Sequence, residues 1–193
     1  MFNDPYSHLG PKGSNPQDTN AEGRLHRAEA RDVARKSIVL LKNWHETLPL
    51  KKDATVALVG PLADSQRDIM GSWSAAGVAK QSIPLLQGVR NAMAGKGTVL
   101  YAKGANITDN KGIQDFLNLY EQAVSVDKRS PQELIDEAVA QAKKADVVVA
   151  AVGEAQGMAH EASSRSDLVI PPSQQKLLAA LKATGKPLVI VLM

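Results

Sequence analysis

The sequence contains no cysteine among its 193 residues, so neither disulfide bonds nor thiolate chemistry contribute to its fold or function. Aromatic residues make up only 4% of the chain while hydrophobic residues make up 44%, so the core must consist mainly of aliphatic side chains. No apolar run approaches the roughly 18 to 20 residues that a transmembrane helix needs, and the first residues do not begin a signal peptide. We therefore expect a globular α/β protein with no membrane partner.

The charges are balanced and dispersed. The chain has 23 basic and 20 acidic residues, a net charge of +3, and the basic residues are spread along it rather than clustered. A nucleic-acid-binding protein usually concentrates its basic residues on one face, so we predict no nucleic-acid partner. His8, His26 and His45 lack the spacing of metal ligands, and we expect neither a metal nor a cofactor.

The first 23 residues differ in composition from the rest of the chain. They carry three prolines and three glycines without apolar periodicity, which is typical of an extended arm or interdomain linker. From residue 24 to residue 193, segments with helical periodicity alternate with short apolar segments. We predict helices at 24–42, 83–93, 131–145 and 173–183, and strands at 55–60, 98–103, 147–152 and 187–193. Residues 113–124 have a helical pattern, but the glycine, asparagine and aspartate residues around them favour an insertion.

This alternation of helices and strands predicts an α/β fold, a three-layer α/β/α sandwich with a mostly parallel sheet. Ser130 and Glu133 have the spacing of a capping box at the start of one helix. The apolar run at 37–43 is expected to bury the end of the first helix. Because the sequence stops inside an apolar strand, we also expect the sandwich to be truncated at its C-terminal end.

The stretch from Asp146 to Gln175 is the main candidate for a functional site. It begins with a continuous apolar strand, and a polar loop follows that carries Glu154, His160, Glu161 and Arg165. In open α/β sheets the loops leaving the carboxyl ends of strands bind ligands. Two carboxylates on such a loop suggest acid/base chemistry.

The turn after the first predicted strand raises a different possibility, a nucleotide-binding domain. A dinucleotide fingerprint needs several glycines that let backbone amides approach a pyrophosphate. Here Gly60 is followed by Pro61, which has no N–H, so the sequence argues against this function.

Several motifs resemble family 3 glycoside hydrolases, in order and at similar spacing. They are ARDVARKSIVLLKN at 30–43, LPL at 48–50, VALVGPLAD at 56–64 and GSWS at 71–74. The resemblance implies that residues 1–23 are the interdomain linker and residues 24–193 the N-terminal part of the second domain, an α/β sandwich. The family's N-terminal (β/α)8 barrel, which carries an aspartate nucleophile, has no counterpart in this sequence.

The similarity is strongest to bacterial β-glucosidases of the family that act in the periplasm. It implies a periplasmic enzyme that removes terminal β-linked glucosyl residues from β-glucosides or oligosaccharides with retention. It also implies that the partner of this domain is the barrel, and that residues 1–193 alone are inactive. A non-catalytic sugar-binding or interface module is the alternative that stays open.

The resemblance also assigns roles to individual residues. A retaining glycosidase uses two carboxyl groups about 5 to 5.5 Å apart, one as nucleophile and one as general acid/base. In members whose second domain supplies the acid, it precedes an Asp-Arg-x-x-Leu-x-Leu-Pro segment, which here is SRSDLVIP at 164–171, so Glu161 matches it. Ser164 stands where many relatives have aspartate, and Glu154 is the alternative acid.

Three further residues are predicted to contact substrate. Trp73 matches a position that resembles a sugar platform, although a packing role at a domain interface is the alternative. His160 is placed to orient Glu161, or is simply hydrated. Met158 is expected to line the leaving-group side, whereas Arg165 is expected to be an ion-pair partner.

Overall fold

The computed structural model describes residues 21–74, 77–119 and 124–193. The chain separates into two compact units, Met1–Glu46 and Thr47–Met193. In the first unit the described elements are helix α1 (Ala21–Ser37) and a 3-10 helix at Trp44–Glu46. The predicted arm at 1–23 lies outside the described residues, except for its last three residues, which begin α1.

The prediction that residues 37–43 bury the end of the first helix is wrong. Helix α1 ends at Ser37, and the four apolar side chains that follow it are 63% to 79% exposed. The Ser37 hydroxyl donates to the carbonyl of Ala34 at 3.0 Å, a local bond that competes with helix continuation. The β-branched residues Ile38 and Val39 come next and disfavour another helical turn.

The second unit is built on a four-stranded sheet. Its strands are β1 (Thr55–Val59), β2 (Thr98–Ala102), β3 (Val147–Val152) and β4 (Leu188–Leu192), in the order β2-β1-β3-β4, and all three pairings are parallel. The helices are α2 (Leu85–Met93), α3 (Lys111–Leu119), α4 (Pro131–Lys144) and α5 (Pro172–Lys182). The predicted α/β class with a parallel sheet is confirmed.

The helices cover both faces of the sheet. On one face, Val56, Leu58 and Val149 pack in a core with side chains of α2 and α3, including Leu86 and Leu117. On the other face, alternate strand residues pack against α4 and α5; the buried members of this second core include Ala57, Val59, Val148, Ala138, Ala142, Leu177 and Leu181. Its many alanines let α4 approach the sheet closely. The predicted three-layer sandwich is therefore confirmed.

Strand β3 lies in the interior of the sheet, between β1 and β4. All six of its residues are buried, as its continuous apolar sequence predicts for a strand covered on both faces. Helix α4, which leads into β3, begins with the predicted capping box: Ser130 Oγ accepts from the Glu133 amide at 3.2 Å, and the Glu133 carboxylate accepts from the Ser130 amide at 2.8 Å. The loop that follows β3 thus starts from a fully buried strand in the interior of the sheet. No helix within the described ranges is long and apolar enough to cross a bilayer.

Candidate functional site

Strands β1 and β3 are neighbours, but the chain leaves them toward opposite edges of the sheet. After β1 it passes through α2 to β2, and after β3 it passes through α5 to β4. Helices α2 and α5 lie on opposite faces. A crevice forms outside the carboxyl ends of parallel strands at such a point, and ligands of open α/β sheets bind there. The candidate residues lie on the two loops that flank this crevice.

The turn that leaves β1 is held tightly against β3. Gly60 has a φ of 117°, and a Cβ atom there would overlap the backbone of Ala151. The amide of Gly60 donates to the carbonyl of Ala102 at 3.3 Å, and that of Leu62 donates to the carbonyl of Ala151 at 3.4 Å. Because the sheet already uses these amides and Pro61 has none, the turn lacks the donors that a pyrophosphate needs. The geometry argues against a nucleotide site, as the sequence does.

Residues 65–74, which we call the Trp73 segment, follow this turn. Ser65 precedes a short 3-10 helix at Asp68–Met70, and its hydroxyl accepts from the Asp68 amide at 3.1 Å and donates to the Asp68 carboxylate at 2.7 Å. Ser74 Oγ donates to the Gly71 carbonyl at 3.1 Å. Between these two residues the Trp73 side chain is 74% exposed, so most of the indole is accessible to a ligand or to another domain.

Residues 153–171, which we call the β3 loop, start from an anchored glycine. Gly153 has a φ of 147°, and a Cβ atom there would overlap the carbonyl oxygen of Met193. The side chain of Gln174, at the start of α5, is fully buried beside it. Its Oε1 accepts from the Gly153 amide at 2.8 Å, and its Nε2 donates to the carbonyls of Gly153 and Ile107, each at 2.7 Å. One side chain therefore ties the start of this loop to α5 and to the chain beyond β2.

The two loops are joined through Gln156. Its amide donates to Asp68 Oδ1 at 2.8 Å, and its side-chain Nε2 donates to the Gly71 carbonyl at 2.6 Å and to Ser74 Oγ at 2.8 Å. Its Oε1 accepts from Arg67 Nε at 3.2 Å. Ser72 Oγ donates back to the Gln156 carbonyl at 3.1 Å, and it also contacts the carbonyl of Ala159. The β3 loop and the Trp73 segment are thus fixed to each other by side chains on both.

Glu161 lies at the corner of a tight turn. The amide of Ser163 donates to the carbonyl of His160 at 3.0 Å, which closes a four-residue turn with Glu161 and Ala162 in the middle. Ala162 has a φ of 63°, the conformation that the third residue of a type II turn requires and that glycine adopts most easily. Glu161 is exposed, so its carboxylate projects from a defined backbone conformation toward solvent.

The alternative carboxylate, Glu154, has a different environment. It directly follows Gly153, and its carboxylate forms an ion pair with Arg165 across the β3 loop. Arg165 also donates from Nη2 to the carbonyl of Val169 at 2.8 Å. The two charged side chains are only 25% and 29% exposed, so this pair closes the loop on itself.

His160 and Met158 contribute less directly to the crevice. His160 Nδ1 contacts the main-chain carbonyl of Glu161, and the Ser163 hydroxyl lies 3.3 Å from the imidazole ring nitrogens. The histidine therefore contacts the backbone that carries Glu161. Met158 is 9% exposed and belongs to the core on the α2 side of the sheet, so most of its side chain packs inward. Its role at the leaving-group side stays a prediction.

A cluster of charges lies where the chain returns from β2 to α4. Lys103 Nζ donates to the Ser125 carbonyl at 2.8 Å, and burial lowers the pKa of this lysine. Hydrogen bonds from Arg129 hold the pKa of the Asp127 carboxyl well below its usual range, and Arg129 also pairs with Glu137 at 2.8 Å. These contacts order the connection between β2 and α4 but involve none of the predicted site residues.

A cavity of about 440 Å³ opens beside the Trp73 segment. Its lining includes Asp64, Gln66, Lys80 and Gln87, but neither Trp73 nor Glu161. Trp73 and Glu161 instead lie on exposed surface, whereas Met158 is buried. Within the described ranges, no three histidine or acidic side chains are grouped so that they could hold a metal ion.

Sequence reasoning missed Gln156, Asp68 and Gln174. The side-chain partners of Gln156 and Gln174 lie 21 to 89 residues away. Asp68 has a local partner in Ser65, but it accepts from the Gln156 amide across 88 residues, so no local pattern marks these long-range contacts. The only available signal was position, since Gln156 follows the end of β3 and Gln174 begins α5.

The fold and the loops at the crevice define the class of protein. It is a parallel α/β/α sandwich domain with a carboxylate-bearing loop at its topological switch point, and residues 38–193 match the family described as glycosyl hydrolase family 3 C-terminal domain. The chain therefore belongs to glycosyl hydrolase family 3.

Individual relatives agree with this assignment. The chain is 72% identical over all 193 residues to a periplasmic beta-glucosidase of Salmonella typhimurium, of which it covers 25%. It is 31% identical over 186 residues to thermostable beta-glucosidase B of Acetivibrio thermocellus, covering 96% of this chain and 22% of that protein. A crystal structure of a beta-glucosidase from Listeria innocua in complex with isofagomine matches 98% of this chain and 22% of that one, with 30% identity and a TM-score of 0.74. The chain thus spans about a quarter of the length of these relatives.

Proposed function

We propose that this chain is the part of a retaining β-glucosidase that supplies the general acid/base, Glu161, and part of the sugar site. The nucleophile would come from the N-terminal barrel domain of the family, which is the partner of this domain. The substrates would be β-glucosides or oligosaccharides with a terminal non-reducing β-D-glucosyl residue. The names of the Salmonella and Acetivibrio relatives support this substrate class.

The observation that carries the proposal is the set of hydrogen bonds that joins the β3 loop to the Trp73 segment at the topological switch point. Two loops that arise from neighbouring strands are hydrogen-bonded to each other through Gln156, and one bears the exposed Trp73 while the other bears the exposed Glu161. An aromatic face and a carboxylate on one rigid surface are what a glycoside needs, a platform for the ring and a proton donor for the leaving oxygen.

The proposed chemistry has two steps. As the nucleophile of the barrel attacks the anomeric carbon, Glu161 gives its proton to the glycosidic oxygen and the C–O bond to the leaving group breaks. In the second step the same carboxylate takes a proton from water, which attacks the glycosyl-enzyme and releases glucose with retention. Trp73 stacks on the apolar face of the sugar during both steps, and His160 supports the backbone of Glu161.

Glu161 is favoured over Glu154 because of what each carboxylate contacts. Glu154 is held in an ion pair with Arg165 at the base of the loop, whereas Glu161 projects from the tip of a turn. A general acid must reach the substrate and deliver a proton, and a carboxylate engaged by a guanidinium is poorly suited to that task.

The periplasm is the proposed location of the protein. The 72% identical relative from Salmonella typhimurium is named as a periplasmic protein, and this similarity alone supports the proposal.

The test is substitution in the full-length protein. Glu161→Ala and Glu154→Gln are compared with wild type on an aryl β-glucoside with a good leaving group and on a glucose disaccharide, each with and without azide. Asp167→Asn serves as the matched control, since Asp167 is another exposed carboxylate of the β3 loop. General acid/base catalysis contributes about 10²- to 10⁴-fold, so Glu161→Ala should lose that much on the disaccharide.

The expected pattern distinguishes an acid from a structural residue. Glu161→Ala should retain more activity on the activated aryl glucoside, and azide should restore turnover with β-glucosyl azide as product. If Glu161→Ala matches Asp167→Asn on both substrates, Glu161 is not the acid. A loss of activity confined to Glu154→Gln would then assign the acid to Glu154, and wild-type behaviour of both variants would make this domain a non-catalytic sugar-binding or interface module. The purified 193-residue chain is expected to release no glucose from either substrate.

A further inference from the structure

The geometry points to Gln156 as a positioning residue that fixes Trp73 relative to Glu161. This inference rests on the proposed function of those two residues. It concerns a side chain that has no counterpart among the predicted catalytic or substrate-binding groups.

Every polar group of Gln156 is directed at the Trp73 segment. The backbone amide, the backbone carbonyl, the side-chain Nε2 and the side-chain Oε1 all bond to residues between 67 and 74. The side-chain amide bonds to partners of both kinds, since it donates to the Gly71 carbonyl and the Ser74 hydroxyl and accepts from Arg67. Neither a carboxylate nor an apolar side chain of the same length can satisfy all three partners.

The partners of Gln156 lie on both sides of Trp73. Gly71 precedes the tryptophan by two residues and Ser74 follows it, so Nε2 bridges the backbone turn that carries the indole. On its own loop, Gln156 lies five residues before Glu161, and Ser72 also contacts the carbonyl of Ala159 two residues before it. These contacts between the two loops therefore lie within two residues of Trp73 on one loop and within five residues of Glu161 on the other.

Hydrogen bonds that hold the two loops together matter because misplacement of reacting groups lowers the reaction rate. A shift of about 1 Å in a positioned group can reduce a rate about 10²-fold. The Trp73 segment has only a short 3-10 helix of its own, and the described contacts that orient it against the sheet domain run largely through Gln156 and Ser72. Loss of the Gln156 amide is expected to leave the loops folded but free to shift relative to each other.

The experiment uses full-length protein with Gln156→Met, which keeps the side-chain length and the backbone bonds but removes the three side-chain hydrogen bonds. Ser74→Ala is a second, milder variant that removes one partner from the opposite side. Gln132→Met is the matched control, because Gln132 is an exposed glutamine on α4 whose Nε2 bonds only locally, to Asp136 at 2.8 Å. Each variant is measured by amide hydrogen exchange of peptides covering residues 65–74, and by kcat and KM on the disaccharide.

Gln156→Met should accelerate amide exchange in residues 65–74 by tenfold or more. It should also raise KM and lower kcat on the disaccharide, so that kcat/KM falls roughly 10- to 100-fold. Ser74→Ala should show a smaller effect in the same direction, and Gln132→Met should match wild type. A variant that merely unfolds loses active sites without changing the KM of those that remain, so the rise in KM separates positioning from destabilisation.

A double-mutant cycle with Trp73→Ala completes the test. If Gln156 acts through Trp73, then Trp73→Ala costs several-fold less in the Gln156→Met background than in wild type. Three results would each overturn the inference while leaving the proposed function intact. They are unchanged amide exchange in residues 65–74, faster exchange with wild-type kinetics, and strictly additive losses of activity in the double mutant. If Trp73→Ala and Glu161→Ala are themselves silent, the proposed function fails and the role of Gln156 in the reaction fails with it.

Discussion

Replacing Gln174 with leucine is expected to destabilise the sheet domain strongly. Gln174 is fully buried, and its amide bonds to both backbone groups of Gly153 and to the carbonyl of Ile107. Leucine has a similar size, so the substitution removes hydrogen bonds without opening a large cavity. The N–H and C=O groups of Gly153, at the end of β3, and the C=O group of Ile107, beyond β2, would be left buried and unpaired.

The magnitude follows from those three groups. An unsatisfied buried donor or acceptor costs about 1 to 3 kcal/mol, with the N–H of Gly153 the most severe because a donor has only one hydrogen to place. The two carbonyls each lose one partner, which we count at the low end of that range. The sum is roughly 3 to 5 kcal/mol, a large fraction of the 5 to 15 kcal/mol that stabilises a typical domain.

The assay is urea unfolding of the purified 193-residue chain, followed by far-ultraviolet circular dichroism. Gln175→Leu is the matched control, because this adjacent glutamine is exposed and makes a single bond to the Ile170 carbonyl at 2.8 Å. Gln174→Leu should lower the unfolding free energy by several times more than Gln175→Leu. Equal losses for the two variants would refute the argument that Gln174 satisfies otherwise orphaned groups at the base of the β3 loop.

Substitutions at three further positions test other parts of the domain. Gly60→Ala should cost more than about 3 kcal/mol in the same urea assay, because its methyl group would overlap the backbone of β3. Ser130→Ala should cost about 1 kcal/mol through loss of the capping box. Hydrogen bonds from Ser130 lower the pKa of Glu133 below its ordinary 4.5. This stabilisation is therefore present above pH 4.5 and is lost as the pH falls through the lower pKa of the folded state, so the advantage of wild type over the variant should shrink on acidification. In full-length enzyme, Ala162→Gly should keep kcat/KM on the disaccharide within about threefold, whereas Ala162→Val, which resists a positive φ, should lower it about tenfold or more.

Much of the fold could be predicted because its signals are local. The capping box, the buried run of β3 and the helices on either side depend on patterns within 15 residues, and the described boundaries of the strands agree within one residue. The predicted first helix, 24–42, extends five residues past the end of α1 at Ser37, because the apolar run that follows indicates burial whereas the structure leaves it exposed. Exposed apolar side chains of that kind depend on what packs against them, which local periodicity does not encode.

The hydrogen bonds between the β3 loop and the Trp73 segment could not be predicted, because their partners lie far apart in the sequence. The bond from the Gln156 amide to Asp68 spans 88 residues, and the order β2-β1-β3-β4 that makes it possible is itself a property of the folded sheet. The sequence predicted that Glu154 and Glu161 belong to a loop at the end of a strand and that Trp73 contacts substrate. Which of these loops touch, and through which side chain, follows only from the adjacency of β1 and β3.

The exposure of Glu161 bears on why a domain of this kind would need its partner. General acid catalysis of this kind needs the acid and the glycosidic oxygen to be enclosed together, away from bulk water. Glu161 stands on an exposed turn, so under the proposed function that environment has to be built by the bound sugar, by the barrel and by the nucleophilic carboxylate itself. The isolated chain would then lack catalysis for two separate reasons, the missing nucleophile and the missing surroundings of the acid. Supplying an external nucleophile such as azide should therefore not make the 193-residue chain active, even though azide is expected to rescue Glu161→Ala in the full-length protein.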